Sequence, residues 1–250
     1  MNAPLPYLLL CFLFTWMVWI PGTLLRVDQR LLMVGSAGPL LAALLVARGG
    51  RNWLLPGKWW WLPISFLAIP AYLVVPAAIA HFIGMPVIVP PHSKDWGALA
   101  FARNFFLTAV LEEPGWRGTL LAQLQKTRSP LVASLMVWFP WMLWHAPLDL
   151  TGGAAHSLIG WLQIRVIFLI PMTILLTWIY NRSGGSLLCT CLFHAALNTF
   201  PFVLPYSAPM LGLVFAWVIW VVVQDRMWGQ SNIGHERKTG AGTPQRVEAI

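Results

Sequence analysis

Leu111-Glu112-Glu113-Pro114-Gly115-Trp116-Arg117-Gly118 sets two carboxylates and a guanidinium inside a long apolar segment, roughly residues 98–124. Without them the segment would cross a membrane on its apolar character alone. A charge at that depth costs about 2.5–3.5 kcal/mol on insertion scales, so intramembrane ionisable residues are functional candidates by default. Glu113 and Arg117 stand four apart and share a helix face, where they can pair. Glu112 is turned about 100° around the helix from Glu113 and is free to point elsewhere. Pro114 has no backbone N–H and would kink or open its turn. In a membrane such a break survives only where it packs on protein or lines a wet cavity. The stretch reads as one wall of a water-accessible polar pocket inside a helical bundle.

The rest of the chain supplies the bundle. It has 250 residues, 58% hydrophobic and 10% charged, with a mean hydropathy of +0.68. A soluble domain carries about 25% charged residues, so the class is an all-α polytopic membrane protein. A span needs about 20 apolar residues. About eight are expected, near residues 5–25, 31–47, 59–83, 98–125, 131–146, 157–180, 186–204 and 210–224. They make residues 1–229 a transmembrane helical domain, and the polar residues 230–250 a disordered cytoplasmic tail. Gly35, Ala37 and Gly38 allow close helix packing in the second span. Trp59, Trp60, Trp61, Trp217 and Trp228, near the ends of apolar runs, suit an interfacial aromatic belt. The first apolar run has no positive residues before it and reads as a span, not a cleaved signal peptide.

The net charge of +8 does not imply nucleic-acid binding, because the basic residues lie singly between apolar runs. They report orientation and lipid headgroups instead. With the N-terminus cytoplasmic, that side collects ten Lys and Arg, from Arg48 to Arg246, against Arg26, Arg30 and Lys94 opposite. Both termini are therefore expected on the cytoplasmic side of an integral membrane protein. Cys11, Cys189 and Cys191 fall in apolar runs without metal-type spacing and read as small buried hydrophobes.

Three further polar residues do not belong in lipid. His145 ends the fifth span before Ala146-Pro147, and His194 and Asn198 share a face of the seventh. With Glu112 they offer an acid or base, two imidazoles and an amide at membrane depth. Hydrolysis needs that kit: a group to take a proton from water, and donors for the developing oxyanion. Spacing alone does not bring three helices together.

The pattern Glu112-Glu113-Pro114-Gly115-Trp116-Arg117, then Trp141-Met142-Leu143-Trp144-His145, then His194-Ala195-Ala196-Leu197-Asn198 resembles the CAAX-protease and bacteriocin-processing (Abi, or CPBP) family. The family-matching core is about residues 98–204. Trp141 departs from the family's usual Phe, a difference expected to affect packing more than chemistry. The resemblance implies an eight-helix intramembrane glutamate endopeptidase, of the type II CAAX prenyl endopeptidase kind. It further implies that Glu112 and His145 activate water, that His194 and Asn198 form the oxyanion hole, and that Glu113 and Arg117 support them.

Rival readings follow from the same residues. Two His and two Glu could hold a catalytic zinc ion, but the pattern His-Glu-x-x-His is absent and Asn198 is a poor zinc ligand. No cofactor is therefore expected, with zinc the minority reading. A bacteriocin-immunity or membrane scaffold protein could keep the pocket without chemistry. A proton-coupled transporter would use the carboxylates as a relay, although no internal repeat supports one. Partners are expected to be membrane lipids and a protein or peptide substrate, lipidated or not, with no nucleic acid. Asp149 is expected at a loop edge and His81, His92 and His156, which flank spans or lie in loops, to be solvated or interfacial. Arg165 is expected to pair with a carboxylate or snorkel, and Arg103 to reach toward the pocket mouth.

Overall fold

A computed structural model describes residues 4–46, 57–91, 97–151 and 157–229. The basic turn at 48–52, His92, the glycines at 152–153, His156 and the tail at 230–250 lie outside the described residues.

Helix α1 (Pro4–Leu24) leads through the short α2 (Gln29–Leu32) and a 3-10 turn to α3 (Gly38–Val46). Helix α4 (Trp61–Phe82) is followed by the two-residue strand β1 (Val87–Ile88). Next, α5 (Gly97–Asn104), α6 (Val110–Gly115) and α7 (Ala122–Leu124) form one unbroken helical run that carries the glutamates. Then come α8 (Pro130–Trp144), α9 (Ala146–Thr151), α10 (Leu158–Ile167), α11 (Leu169–Arg182) and α12 (Leu187–Thr199). Strand β2 (Tyr206–Ser207) and α13 (Met210–Gln224) close the described chain.

Each apolar run read as a span is helical. Three helical stretches are long and apolar enough to cross a membrane: α1, α4, and α10 with α11 as one stretch of 25 residues. Shorter apolar helices cover Met33–Val46, Pro130–Trp144, Leu187–Phe202 and Gly212–Gln224. The one sheet among the described residues pairs β1 with β2, antiparallel, Val87 opposite Ser207.

Local chemistry sets the helix ends. Ser129, Ser157 and Ser186 cap α8, α10 and α12 by accepting from backbone N–H groups three residues on, which satisfies a donor the first turn cannot use. Pro130 follows its cap at the first helical position, where its missing N–H costs nothing. Gly184 and Gly185, at φ of 80° and 83°, let the chain leave α11. Pro147 has no N–H for the carbonyl of Leu143, and α8 stops at Trp144 with His145 at the joint.

Burial is reversed relative to a soluble bundle. On α1, Leu5, Leu9, Leu13 and Met17 form an exposed apolar stripe, while Tyr7, Cys11, Thr15 and Trp19 are buried. Spacing of four puts each set on one helix face. An outward apolar face on every long helix is what acyl chains cover, and the molecule is an all-α membrane protein. Small residues bring the inner faces together. A Cβ on Gly38 would lie 2.1 Å from Thr15 Oγ1 and 2.8 Å from the Cys11 carbonyl oxygen.

The glutamate helix runs through Pro114 without a stop and opens on either side of it: two wide π turns, Phe105–Ala109 and Trp116–Leu121, bracket α6. Each accommodates one extra residue in the coil, a distortion found most often at functional sites. The Thr119 hydroxyl donates to the Pro114 carbonyl at 2.9 Å inside the second turn.

Candidate active site

The polar groups of three helices meet around the indole of Trp141 on α8, which is 1% exposed. Its Nε1–H donates to Glu112 Oε2 at 3.0 Å. The Arg117 guanidinium lies over its ring, with Cζ 4.3 Å from the centroid, a cation–π contact. The His194 ring stands edge-on to it at 5.6 Å, and the His145 ring lies 5.9 Å away. The position expected to matter for packing thus supplies a polar contact that the family's Phe could not make. A sequence gives the ring, but not the direction of its N–H.

Glu112 faces protein, not lipid, at 3% exposure, and Glu113 and Arg117 are fully buried. One oxygen of Glu113, Oε1, accepts from Arg117 Nη1 at 2.9 Å and from His194 Nδ1 at 2.7 Å. The first contact follows from the spacing of four. The second joins α6 to α12; the sequence sets His194 beside Glu112, His145 and Asn198 but names no bond to Glu113. Full burial makes these contacts necessary, because an unpaired charge in a low-dielectric interior costs several kcal/mol.

His145 is half-buried at the joint between α8 and α9. Its Nδ1 lies 2.8 Å from the Trp141 carbonyl oxygen. A carbonyl only accepts, so Nδ1 carries the proton and the other ring nitrogen, Nε2, faces away from that bond. Trp144 packs edge-on against the His145 ring at 4.7 Å. Trp144 is held in turn by α1: its Nε1–H donates to Thr15 Oγ1 at 2.8 Å, and Trp16 Nε1–H donates to the Trp144 carbonyl at 3.1 Å. The Thr15 hydroxyl donates in turn to the Gly35 carbonyl at 2.9 Å.

Asn198 is half-buried one helical turn beyond His194. Its backbone carbonyl accepts from Asn104 Nδ2 at 3.1 Å, and the Asn104 amide also donates to Thr199 Oγ1 at 2.9 Å. Asn104 escaped the sequence reading, which looked instead to its neighbour Arg103. Arg103 is exposed and Asn104 is buried. A lone amide at the end of an amphipathic turn gives no signal of its own.

Asp149 is not at a loop edge but in α9, one turn past His145. Its Oδ2 accepts from Trp161 Nε1 and Arg165 Nε, each at 2.7 Å, and from Arg165 Nη2. Arg165, on α10, therefore pairs with a carboxylate and ties down the helix that follows His145. His81 is exposed. Among the described residues, no three His, Cys, Asp or Glu side chains are grouped to hold a metal ion.

A family model described as type II CAAX prenyl endopeptidase Rce1-like matches residues 94–200. Over residues 94–200 the chain is similar to that family. The Rce1-like segment contains every polar residue gathered at Trp141, together with Asn104 and Asn198. It leaves out α1, which seats Trp144. CAAX prenyl protease 2 of Methanococcus maripaludis is 24% identical over 226 residues, covering 78% of this chain and 82% of that protein. That similarity reaches beyond the Rce1-like segment.

Proposed function

We propose that the protein is an intramembrane endopeptidase of the glutamate type. In this reading Glu112 and His145 activate the water, and His194 and Asn198 bind the oxyanion. Glu113 and Arg117 support them. The observation that carries it is the meeting of Glu112 and both imidazoles around one buried indole. The family match supports it.

The chemistry follows from which atoms are already committed. Glu112 Oε2 is held by Trp141, and Oε1 has no partner among the described residues. His145 donates Nδ1–H to a carbonyl and offers Nε2. A water between Oε1 and Nε2 loses a proton to Glu112 as its oxygen attacks the scissile carbonyl carbon. The oxygen of that carbonyl becomes the oxyanion facing His194 and Asn198. The proton then passes to the leaving nitrogen, the C–N bond breaks, and an acid and an amine are released. His194 already gives Nδ1–H to Glu113. Donating Nε2–H as well makes the ring a cation, and Glu113 supplies the countercharge. Two carboxylates then balance two cations in the buried site.

The substrate is a membrane-associated protein or peptide. The name of the archaeal relative makes a prenylated C-terminal peptide the first to test, beside an unlipidated precursor. Both termini of the protease lie on the cytoplasmic side. Purified protein in liposomes is offered both peptides, as wild type and as Glu112→Gln, with and without chelator. The wild type should cleave with or without chelator, and the variant should stay folded and inactive. Full activity in Glu112→Gln would remove the mechanism. Loss of activity with chelator would favour zinc, and a folded wild type that cleaves nothing would favour the scaffold reading.

A further inference from the structure

We propose that Trp141 is the positioning residue that decides which atoms of Glu112 and His145 face the reacting water. The proposal rests on the endopeptidase reading and adds a residue to it. Trp141 grips the two water-activating groups from opposite ends of one residue: its indole N–H holds Glu112 Oε2 at 3.0 Å, and its carbonyl holds His145 Nδ1 at 2.8 Å. Glu112 is left with Oε1 and His145 with Nε2, and those two atoms are what a general base pair needs. A carboxylate with a free torsion would spread its lone pairs over several directions, whereas a near-attack geometry tolerates little error.

The same ring also lies against the groups that hold the second carboxylate. Arg117 lies over its face at 4.3 Å while bonding Glu113, and His194 meets it edge-on at 5.6 Å. The indole therefore touches Glu112 through its N–H and the ion cluster through its ring. Its N–H gives Glu112 a donor that does not belong to that cluster. Phe would keep the carbonyl bond to His145 and a ring beneath Arg117. It would remove the grip on Glu112, together with the packing of the second ring.

Trp141→Phe separates a positioning role from simple packing. A hydrogen bond to a charged group corresponds to about a 10- to 100-fold change in rate. The variant should lose kcat by that factor, with KM changed by less than about twofold and the protein still folded in detergent. Full-length protein labelled with ¹⁵N at indole provides a readout that does not depend on activity. The resonance missing from Trp141→Phe belongs to Trp141, and it should move upfield in Glu112→Leu, which lacks the acceptor.

Wild-type kcat in Trp141→Phe, or a loss confined to KM, overturns the assignment. So does a set of indole resonances in which none moves upfield in Glu112→Leu, a result that needs no assignment and stands even if Trp141→Phe fails to fold. A wild type that cleaves nothing overturns the endopeptidase reading and this assignment with it. The resonance tells the two failures apart, since it moves only if Trp141 grips Glu112.

Discussion

Glu113 takes two donors on a single oxygen while wholly enclosed by protein. Breaking a buried ion pair by removing one partner costs about 3–5 kcal/mol, because the remaining charge is stranded. Glu113→Gln should therefore lower unfolding stability in detergent by about that amount. Glu112→Gln should melt close to wild type, because an amide oxygen still accepts from Trp141. The two neighbouring substitutions thus give opposite patterns: one stable and inactive, the other unstable. Asn198→Ala should reduce cleavage by about 10²-fold without loss of fold, as for an oxyanion donor. At this scale the sequence shows what helix geometry controls. The pairing of Glu113 with Arg117 needs only a spacing of four. The bond from His194 to Glu113 spans 81 positions and depends on how two helices lie together, which spacing does not encode.

Helices here meet at glycines. A Cβ on Gly115 would lie 2.5 Å from Tyr7 Oη and 2.6 Å from the Pro39 carbonyl oxygen. Backbone on one side and an enclosed ring on the other leave a methyl group nowhere to go. Overpacking of this kind costs about 1–3 kcal/mol. Gly115→Ala should cost that much in a detergent unfolding assay. It should also cut kcat, because it moves the turn beside Glu112 and a misplacement of about 1 Å can lose about 10²-fold. Helical elements were legible from the sequence because apolar run length is a local property. The distortions within them were not. Pro114 pointed to a broken ladder, yet the break takes the form of π turns on either side of it. Their register depends on what α6 must face across the bundle.

The whole molecule joins an Rce1-like segment to an N-terminal part that the family model does not cover. That part is tied to the site through Thr15, which accepts from Trp144 and donates to Gly35. Thr15→Val keeps the shape and removes both bonds. It should cost about 1–3 kcal/mol of stability and lower kcat through Trp144 and His145, read by melting and by cleavage of the same peptide. Cys11, Cys189 and Cys191 are all buried, so a maleimide should label them only after denaturation. The membrane class was plain from composition, since few charges and long apolar runs fit no soluble core. The contribution of α1 to the site was hidden, because no residue in it carries a charge.

The wide turns on either side of α6 have a consequence for how the length of this helix could drift. Deleting one residue from Phe105–Ala109 would let the coil tighten to the ordinary α repeat. Four residues at the α repeat turn the chain about 400°, close to what five turn at the wide repeat, so Glu112 would still face its indole partner. A deletion in a stretch already wound as α has no slack to take up and would swing what lies beyond it by about 100°. The same loss of one residue is therefore silent in one turn and ruinous a turn away.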